Sequence, residues 1–283
     1  MNPLIKYRGG KSKELCELIP YIPKYSGKYI EPFFGGGAMY FHLEPQSAII
    51  NDINEPLMNF YRQVRDEFDT VKKELSDLQS KYEANRKAFD SLKSATPNLR
   101  VDDANEPLYY MMRDMFNGLI PKKYLDATIY YFINKTAYSG MIRYNSKGEY
   151  NVPYGRYKNF NTAILTEEHS ALLQRTDIRS GNYKDVFNDA TPEDFIFLDP
   201  PYDCIFSDYG YEEYKEGFGE KNHRQLAEDI KNLSTPTLLV IGKTPLIEEL
   251  YGDMIVGEYS KSYSVNIRNR FKSEAVHCVI TNY

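Results

Sequence analysis

Cysteine is scarce in this chain of 283 residues: Cys16, Cys204 and Cys278 stand far apart and are odd in number. Their scatter excludes a disulfide framework and a cysteine metal site, and favours a reducing compartment. Histidine is equally sparse, and His42, His169, His223 and His277 are dispersed, so each is expected in a satisfied core or surface role. No apolar run approaches the roughly 20 residues that a bilayer demands. The segment Met1 to Lys6 has no apolar signal region, so the expected location is the cytoplasm, with no membrane partner. Positive charge is also in deficit, with 35 Lys and Arg against 40 Asp and Glu and a net charge of −5. A nucleic-acid partner therefore requires local positive charge.

What is present is a globular composition, 42% hydrophobic and 27% charged, long enough for one large or two modest domains. The most informative run is Asp199-Pro200-Pro201-Tyr202, directly after the apolar stretch Phe195–Leu198. Four apolar residues in a row read as a buried strand. Two prolines must end it, because proline cannot donate to a ladder and fixes its own φ. A carboxylate, a proline carbonyl and an aromatic ring are thereby held at the C-terminal edge of a sheet, where open α/β sheets bind ligands. Such a clamp suits a flat, amine-bearing substrate such as a nucleobase.

Nearer the N-terminus, Tyr29–Phe34 reads as a strand entering Gly35-Gly36-Gly37, Ala38–Leu43 as a helix, and Ala48–Asp52 as a strand ending on an acid. Strand, glycine turn, helix, strand, acid is the logic of nucleoside-cofactor sites. The glycines let a ligand approach the backbone, and the acid can accept two ribose hydroxyls. They are consecutive and do not form G-x-G-x-x-G, which favours a cofactor without phosphates, such as S-adenosylmethionine, over a pyrophosphate; a plain tight turn is the alternative. Gly10-Lys11-Ser12 and Gly242-Lys243-Thr244 imitate a phosphate-binding loop, but Ile5 and Thr237 stand where its first glycine is required.

Residues 55 to 160 have a different grammar. Asn54 can cap a helix with Pro56 in its first turn, and Leu57, Phe60, Tyr61, Val64, Phe68, Val71, Leu75 and Leu78 recur at helical spacing. Residues 76 to 105 are polar, with a loop expected at Ala95–Asn98, and a second helix is expected over Pro107–Phe116. From Lys135 to Lys158 basic residues outnumber acids, tyrosines interleave, and Asn145–Gly148 signals a turn, so a β-hairpin follows. Mixed basic and aromatic groups can meet phosphates and bases, or be a solvated tyrosine-rich hairpin. Beyond residue 160 strands return at Ile196–Leu198, Thr237–Ile241 and Ala275–Thr281, with a helix over His223–Leu233.

Taken in order, these pieces resemble the Dam-like, D12-class DNA adenine-N6 methyltransferases over nearly the whole chain. Ile5–Lys11 is similar to the family's K-W-x-G-G-K motif, Glu31–Ala38 to its cofactor glycine motif, and Ile50–Asn54 to its N-D-x-N motif. Phe132–Lys135, Tyr138–Asn145 and Gly148–Gly155 resemble its recognition hairpin, and Asp199–Tyr202 its D-P-P-Y motif. The resemblance implies an α/β, Rossmann-like methyltransferase sheet formed by residues 1–55 and 161–283. A mostly helical target-recognition domain, residues 56–160, would be inserted into it and carry the β-hairpin. It implies S-adenosylmethionine held by Tyr7, Lys11, Phe34, Gly35, Gly36, Gly37, Asp52, Asn182, Tyr183 and Asp199, leaving as S-adenosylhomocysteine, and no metal. It implies an adenine clamped by Asp199, Pro200, Pro201 and Tyr202 after base flipping. Lys6, Lys135, Tyr138, Ser139, Met141, Arg143, Asn145, Lys147, Pro153 and Arg156 would face double-stranded DNA.

The chain departs from the family where Tyr7 replaces tryptophan, Asn182-Tyr183 replaces Asp-Phe, and Ser139 replaces asparagine in the hairpin. GATC is the leading target, the protein is expected to act as a monomer at the nucleoid of a bacterial or phage-infected cell, and a separately acting restriction endonuclease is a compatible partner. The alternatives are a DNA-binding homologue without catalysis and an RNA or small-molecule methyltransferase.

Overall fold

The structure is a computed structural model and describes residues 1–202, 218–262 and 274–283. Cys204 lies outside the described residues. In chain order the elements are α1 (Leu15–Leu18), β1 (Tyr29–Glu31), α2 (Ala38–Leu43), β2 (Ala48–Asp52), α3 (Glu55–Asp66), α4 (Phe68–Ala95), α5 (Asn105–Phe116) and α6 (Asp126–Thr136). They continue as α7 (Glu167–Gln174), β3 (Thr176–Ser180), α8 (Tyr183–Phe187), β4 (Phe195–Leu198), α9 (Glu220–Lys231), β5 (Thr237–Gly242), α10 (Pro245–Tyr251), β6 (Ile255–Ser262) and β7 (Glu274–Thr281). Among the described residues no helix is long and apolar enough to cross a membrane.

The chain forms two compact units. One takes Met1–Gly10 and Asn54–Ile178 and holds α3 to α7. The other takes Lys11–Ile53 and the described residues from Arg179 onward, and holds the strands other than β3, which the division crosses.

The strands form a seven-stranded sheet in the order β3-β2-β1-β4-β5-β7-β6. β1 runs parallel to β2 and β4, β4 parallel to β5, and β7 antiparallel to β5 and β6. The chain leaves β1 towards β2 and returns to β1's other side as β4, so the order reverses between β1 and β4. That is the switch point at which doubly wound sheets bind ligands. Because β1, β2 and β4 are parallel, the glycine turn, Asp52 and Asp199 all leave the sheet at the same edge. β4 and β5 read as continuous apolar runs because both faces are covered: Phe195 to Leu198 and Thr237 to Ile241 are all buried.

In the helical unit, the Asn54 side chain accepts a hydrogen bond from the Leu57 amide (3.2 Å) and caps α3. Leu57, Phe60, Tyr61 and Val64 line its buried face, and Val71, Leu75 and Leu78 continue that stripe on α4 after a break at Glu67. The polarity after Ser76 is a solvated helix face and not an end of helix. α4 runs on to Ala95, supported by good helix formers and by pairs such as Gln79–Glu83 (2.8 Å) and Arg86–Asp90 (2.8 Å). Phe132–Lys135, expected with the hairpin, instead lies on α6. Every residue from Ala127 to Asn134 is buried, so the segment has no polar face from which a helical period could be read. The hairpin itself is joined at two isolated antiparallel bridges, Ala137 to Tyr154 and Tyr144 to Tyr150.

Candidate functional site

The glycine turn is built from backbone first. Pro32 ends β1, the Phe34 amide donates to the Asn51 carbonyl (2.8 Å), and the Gly37 amide donates back to the Phe34 carbonyl (2.8 Å). Gly35 and Gly37 have φ of 49° and 65°, which side chains avoid. A Cβ on Gly37 would lie 2.4 Å from the Phe34 ring. The Gly35 amide donates to one carboxylate oxygen of Asp52 (2.8 Å), so the acid at the end of β2 holds the loop. Asn51 ties the same edge together: its amide donates to the carbonyls of Pro32 (3.1 Å) and Gly181 (2.9 Å).

Asn182 follows Gly181 and caps α8, its side chain accepting from the Lys184 amide (3.0 Å). Asparagine and aspartate cap equally well, so the exchange of Asp for Asn preserves this local structure. Tyr183 is buried. Its ring packs 5.2 Å from that of Phe33, and its hydroxyl donates to Asp229 (2.7 Å), so it supports the edge from inside the core.

Asp199 leaves β4 into Pro200 and Pro201. The Lys11 ammonium reaches both of its carboxylate oxygens at 2.6 Å. The lysine side chain is 3% exposed and the aspartate 20%. Burial pushes the Asp199 carboxyl up, and Lys11 opposes that rise by charge and hydrogen bond. Lys11 Nζ also stands 5.1 Å from the centroid of the Tyr202 ring. Tyr202 meets the His277 ring edge-on, with centroids 5.2 Å apart. Behind it lies a set of residues that sequence reasoning left without a role: Glu14, Tyr259, Lys261 and His277. No local signal marks them, because 263 residues separate Glu14 from His277.

The helical unit carries the second group of candidates. Lys6 and Asn134 exchange two hydrogen bonds, Lys6 amide to Asn134 Oδ1 (2.9 Å) and Asn134 Nδ2 to Lys6 carbonyl (2.8 Å). The Lys6 ammonium donates to the Lys135 carbonyl (3.3 Å) and lies 4.1 Å over the Tyr157 ring. Burial holds Lys6 below the usual lysine range, and burial with the neighbouring Lys6 charge lowers Lys135 to about 8. Tyr138, Ser139, Arg143, Lys147, Pro153 and Arg156 are exposed, and Met141 is half-buried. The Arg143 guanidinium is steadied by Asn151 through Oδ1 (2.7 Å) and the carbonyl (3.1 Å). Asn145 organises the turn, accepting from the amides of Lys147 (2.9 Å) and Glu149 (3.0 Å) and donating to the Glu149 carboxylate (2.8 Å). Tyr150 and Tyr154 are buried; their hydroxyls meet the Met141 carbonyl (2.9 Å) and the Tyr82 hydroxyl (2.7 Å), so these two interleaved aromatics are core. The backbone carbonyl of Tyr7 accepts from the Gly10 amide (3.2 Å). Among the described residues no group of three His, Cys, Asp or Glu side chains could hold a metal ion.

A family profile described as D12 class N6 adenine-specific DNA methyltransferase matches residues 7–267. The chain is 35% identical to the Type II methyltransferase M.CviBI of Paramecium bursaria Chlorella virus NC1A over the full length of both. It is 34% identical to the Type II methyltransferase M.MjaIII of Methanocaldococcus jannaschii, over 82% of this chain and 80% of that one. It is 28% identical to the DNA adenine methylase of Haemophilus influenzae, over 82% of this chain and 75% of that one.

Proposed function

The chain belongs to the D12 class of N6 adenine-specific DNA methyltransferases, and from that premise we propose that it carries the methyl group of S-adenosylmethionine to an adenine flipped out of a short duplex site. Residues 1–55 and 161–283 are assigned to catalysis and 56–160 to target recognition, with GATC the first sequence to test. The protein acts as a monomer on nucleoid DNA, and a restriction endonuclease against the same site acts separately.

The residues present suit that cofactor. The turn at Gly35–Gly37 packs so closely that a Cβ on Gly37 would meet the Phe34 ring, and it is closed by a carboxylate and not by a lysine-bearing phosphate loop. Phe34 to Gly37 would hold its adenosine end, Asp52 its ribose hydroxyls, and Lys11, Tyr7 and Asn182 the remainder, with Tyr183 supporting them from the core. When bound, the sulfonium supplies an electrophilic methyl with a neutral thioether as leaving group.

The protein's own part is positioning. The lone pair of adenine N6 is delocalised into the ring, so the amine is a weak nucleophile. Asp199 and the Pro200 carbonyl accept its two N–H groups, which favours a pyramidal nitrogen and frees the lone pair. The Asp199 carboxylate then stabilises the positive charge that develops on nitrogen. Tyr202 stacks on the extruded base and offsets part of the few kcal/mol that flipping costs. The observation that carries this reading is Asp199 at the C-terminal end of β4, next to the glycine turn of β1 at the switch point. Incubation with methyl-labelled cofactor and duplex, single-stranded or RNA oligonucleotides tests it. Label recovered as N6-methyladenine in duplex DNA supports it; DNA binding with no transfer, or transfer to RNA alone, refutes it.

A further inference from the structure

Glu14, His277, Tyr259 and Lys261 form a polar cluster that the mechanism above leaves unused. Glu14 precedes α1, and His277 is fully buried on β7. The strand register gathers the others, because His277 pairs with Gly242 of β5 on one side and with Tyr259 of β6 on the other. Glu14 Oε2 accepts from the Tyr259 hydroxyl at 2.6 Å and lies 3.0 Å from His277 Nδ1. Glu14 Oε1 takes the Lys261 ammonium.

These contacts orient the histidine ring. An ionised carboxylate only accepts, so the ring nitrogen facing it, Nδ1, carries the proton. Burial alone would raise the Glu14 carboxyl, but the hydrogen bonds from His277, Lys261 and Tyr259 outweigh it and hold Glu14 down at about 2. Glu14 is therefore an anion at neutral pH, and its 3.0 Å contact with Nδ1 holds the imidazole in place.

That imidazole bears on Tyr202. The two rings are at 83°, and the Tyr202 hydroxyl lies 3.5 Å from Nδ1. Gly242, the cross-strand partner of His277, also lies beside the ring: a Cβ added there would stand 3.5 Å from Tyr202 Cδ2. We propose that Glu14 is a positioning residue for Tyr202: by fixing the His277 imidazole it sets the ring on which the extruded adenine stacks. This rests on the stacking role given to Tyr202 above. Because reacting groups about 1 Å out of place can lose on the order of 100-fold in rate, a loosened ring has a measurable cost.

The test uses the full chain with Glu14→Gln, His277→Gln, Tyr202→Ala and the double variant Glu14→Gln/Tyr202→Ala. Each is assayed for kcat/KM on duplex DNA, for cofactor affinity, and for the fluorescence of 2-aminopurine at the target adenine. His277→Gln keeps a donor for Glu14 and removes only the ring beside Tyr202, so it answers the question even if Glu14→Gln folds poorly. Glu14→Gln and His277→Gln are expected to lose about tenfold or more in kcat/KM, with unchanged cofactor affinity and brighter 2-aminopurine, since the flipped base is less stacked. On the Tyr202→Ala background, Glu14→Gln is expected to add less than about a twofold loss, because contacting groups couple. Additive losses, or wild-type fluorescence in both single variants, overturn the positioning role while leaving Tyr202 in place. A Tyr202→Ala enzyme with full activity overturns the stacking assignment itself.

Discussion

The Lys11 ammonium lies 2.6 Å from both oxygens of the Asp199 carboxylate, across 188 residues of sequence. The pair joins the N-terminal Ile5–Lys11 motif to Asp199-Pro200-Pro201-Tyr202. It means that the rise which burial imposes on the Asp199 carboxyl is opposed chiefly by Lys11, and that removing either member of the pair is costly.

Replacing Lys11 by Met removes the charge and hydrogen bond that oppose the rise of the Asp199 carboxyl. That carboxyl then protonates at higher pH, and a protonated oxygen cannot accept from the amine. The acid limb of the kcat/KM profile, measured at saturating cofactor, is expected to move to higher pH. Superimposable acid limbs would show that Lys11 does not tune Asp199.

Asp199→Asn and Asp199→Ala separate chemistry from stability. Both are expected to lose at least about 100-fold in methyl transfer, as removal of one preorganised electrostatic partner typically does. Asp199→Ala also removes the carboxylate that the buried Lys11 ammonium contacts, a loss of about 3–5 kcal/mol when one side of a buried pair goes. The alanine variant should therefore melt lower than the asparagine variant in thermal denaturation, and equal melting would contradict the ion pair's structural weight.

Gly37→Ala places a Cβ 2.4 Å from the Phe34 ring at a φ of 65°. The left-handed backbone alone costs about 1–2 kcal/mol, so calorimetry with S-adenosylhomocysteine is expected to show affinity falling about tenfold or more. Gly148→Ala is the control. Its φ is 77° with nothing within 4 Å of the added Cβ, so cofactor affinity should not change.

Arg143→Ala is expected to relax the target sequence more than it slows turnover on the preferred site. A bidentate arginine–guanine contact is worth about 1–3 kcal/mol of discrimination at one base pair. Competition assays on single-substituted duplexes read this directly; equal losses on every duplex would make Arg143 a phosphate contact.

Glu14 has a pH signature in folding. Its carboxyl is depressed from 4.5 to about 2 in the folded protein. Its stabilisation is therefore complete above pH 4.5 and lost as pH falls through 2. In urea titrations, wild type is expected to exceed Glu14→Gln by on the order of 3 kcal/mol at neutral pH, with the gap closing under acid. A gap that stays constant under acid would deny the ionised hub.

The sheet edge that carries the glycine turn, Asp52 and Asp199 could be read from the chain because its signals are local. α2 and β2 begin and end where glycine, apolar run and acid place them, and the double proline stops β4 at Leu198. α6 could not be read, since a helix buried on all sides has no polar face. The hairpin tyrosines look alike in sequence and differ in place: Tyr138 is exposed while Tyr150 and Tyr154 are core, a difference made by tertiary packing against residues such as Tyr82. The ion pair of Lys11 with Asp199 and the Glu14 cluster were not legible because they are tertiary contacts between residues that sequence distance keeps apart.

The most direct test is modified-base sequencing of DNA from cells that express the wild-type chain or Asp199→Asn. N6-methyladenine at one short recurring sequence with the wild type, absent with Asp199→Asn, is the expected result. Its absence from both, or equal methylation by both, would contradict adenine transfer through Asp199.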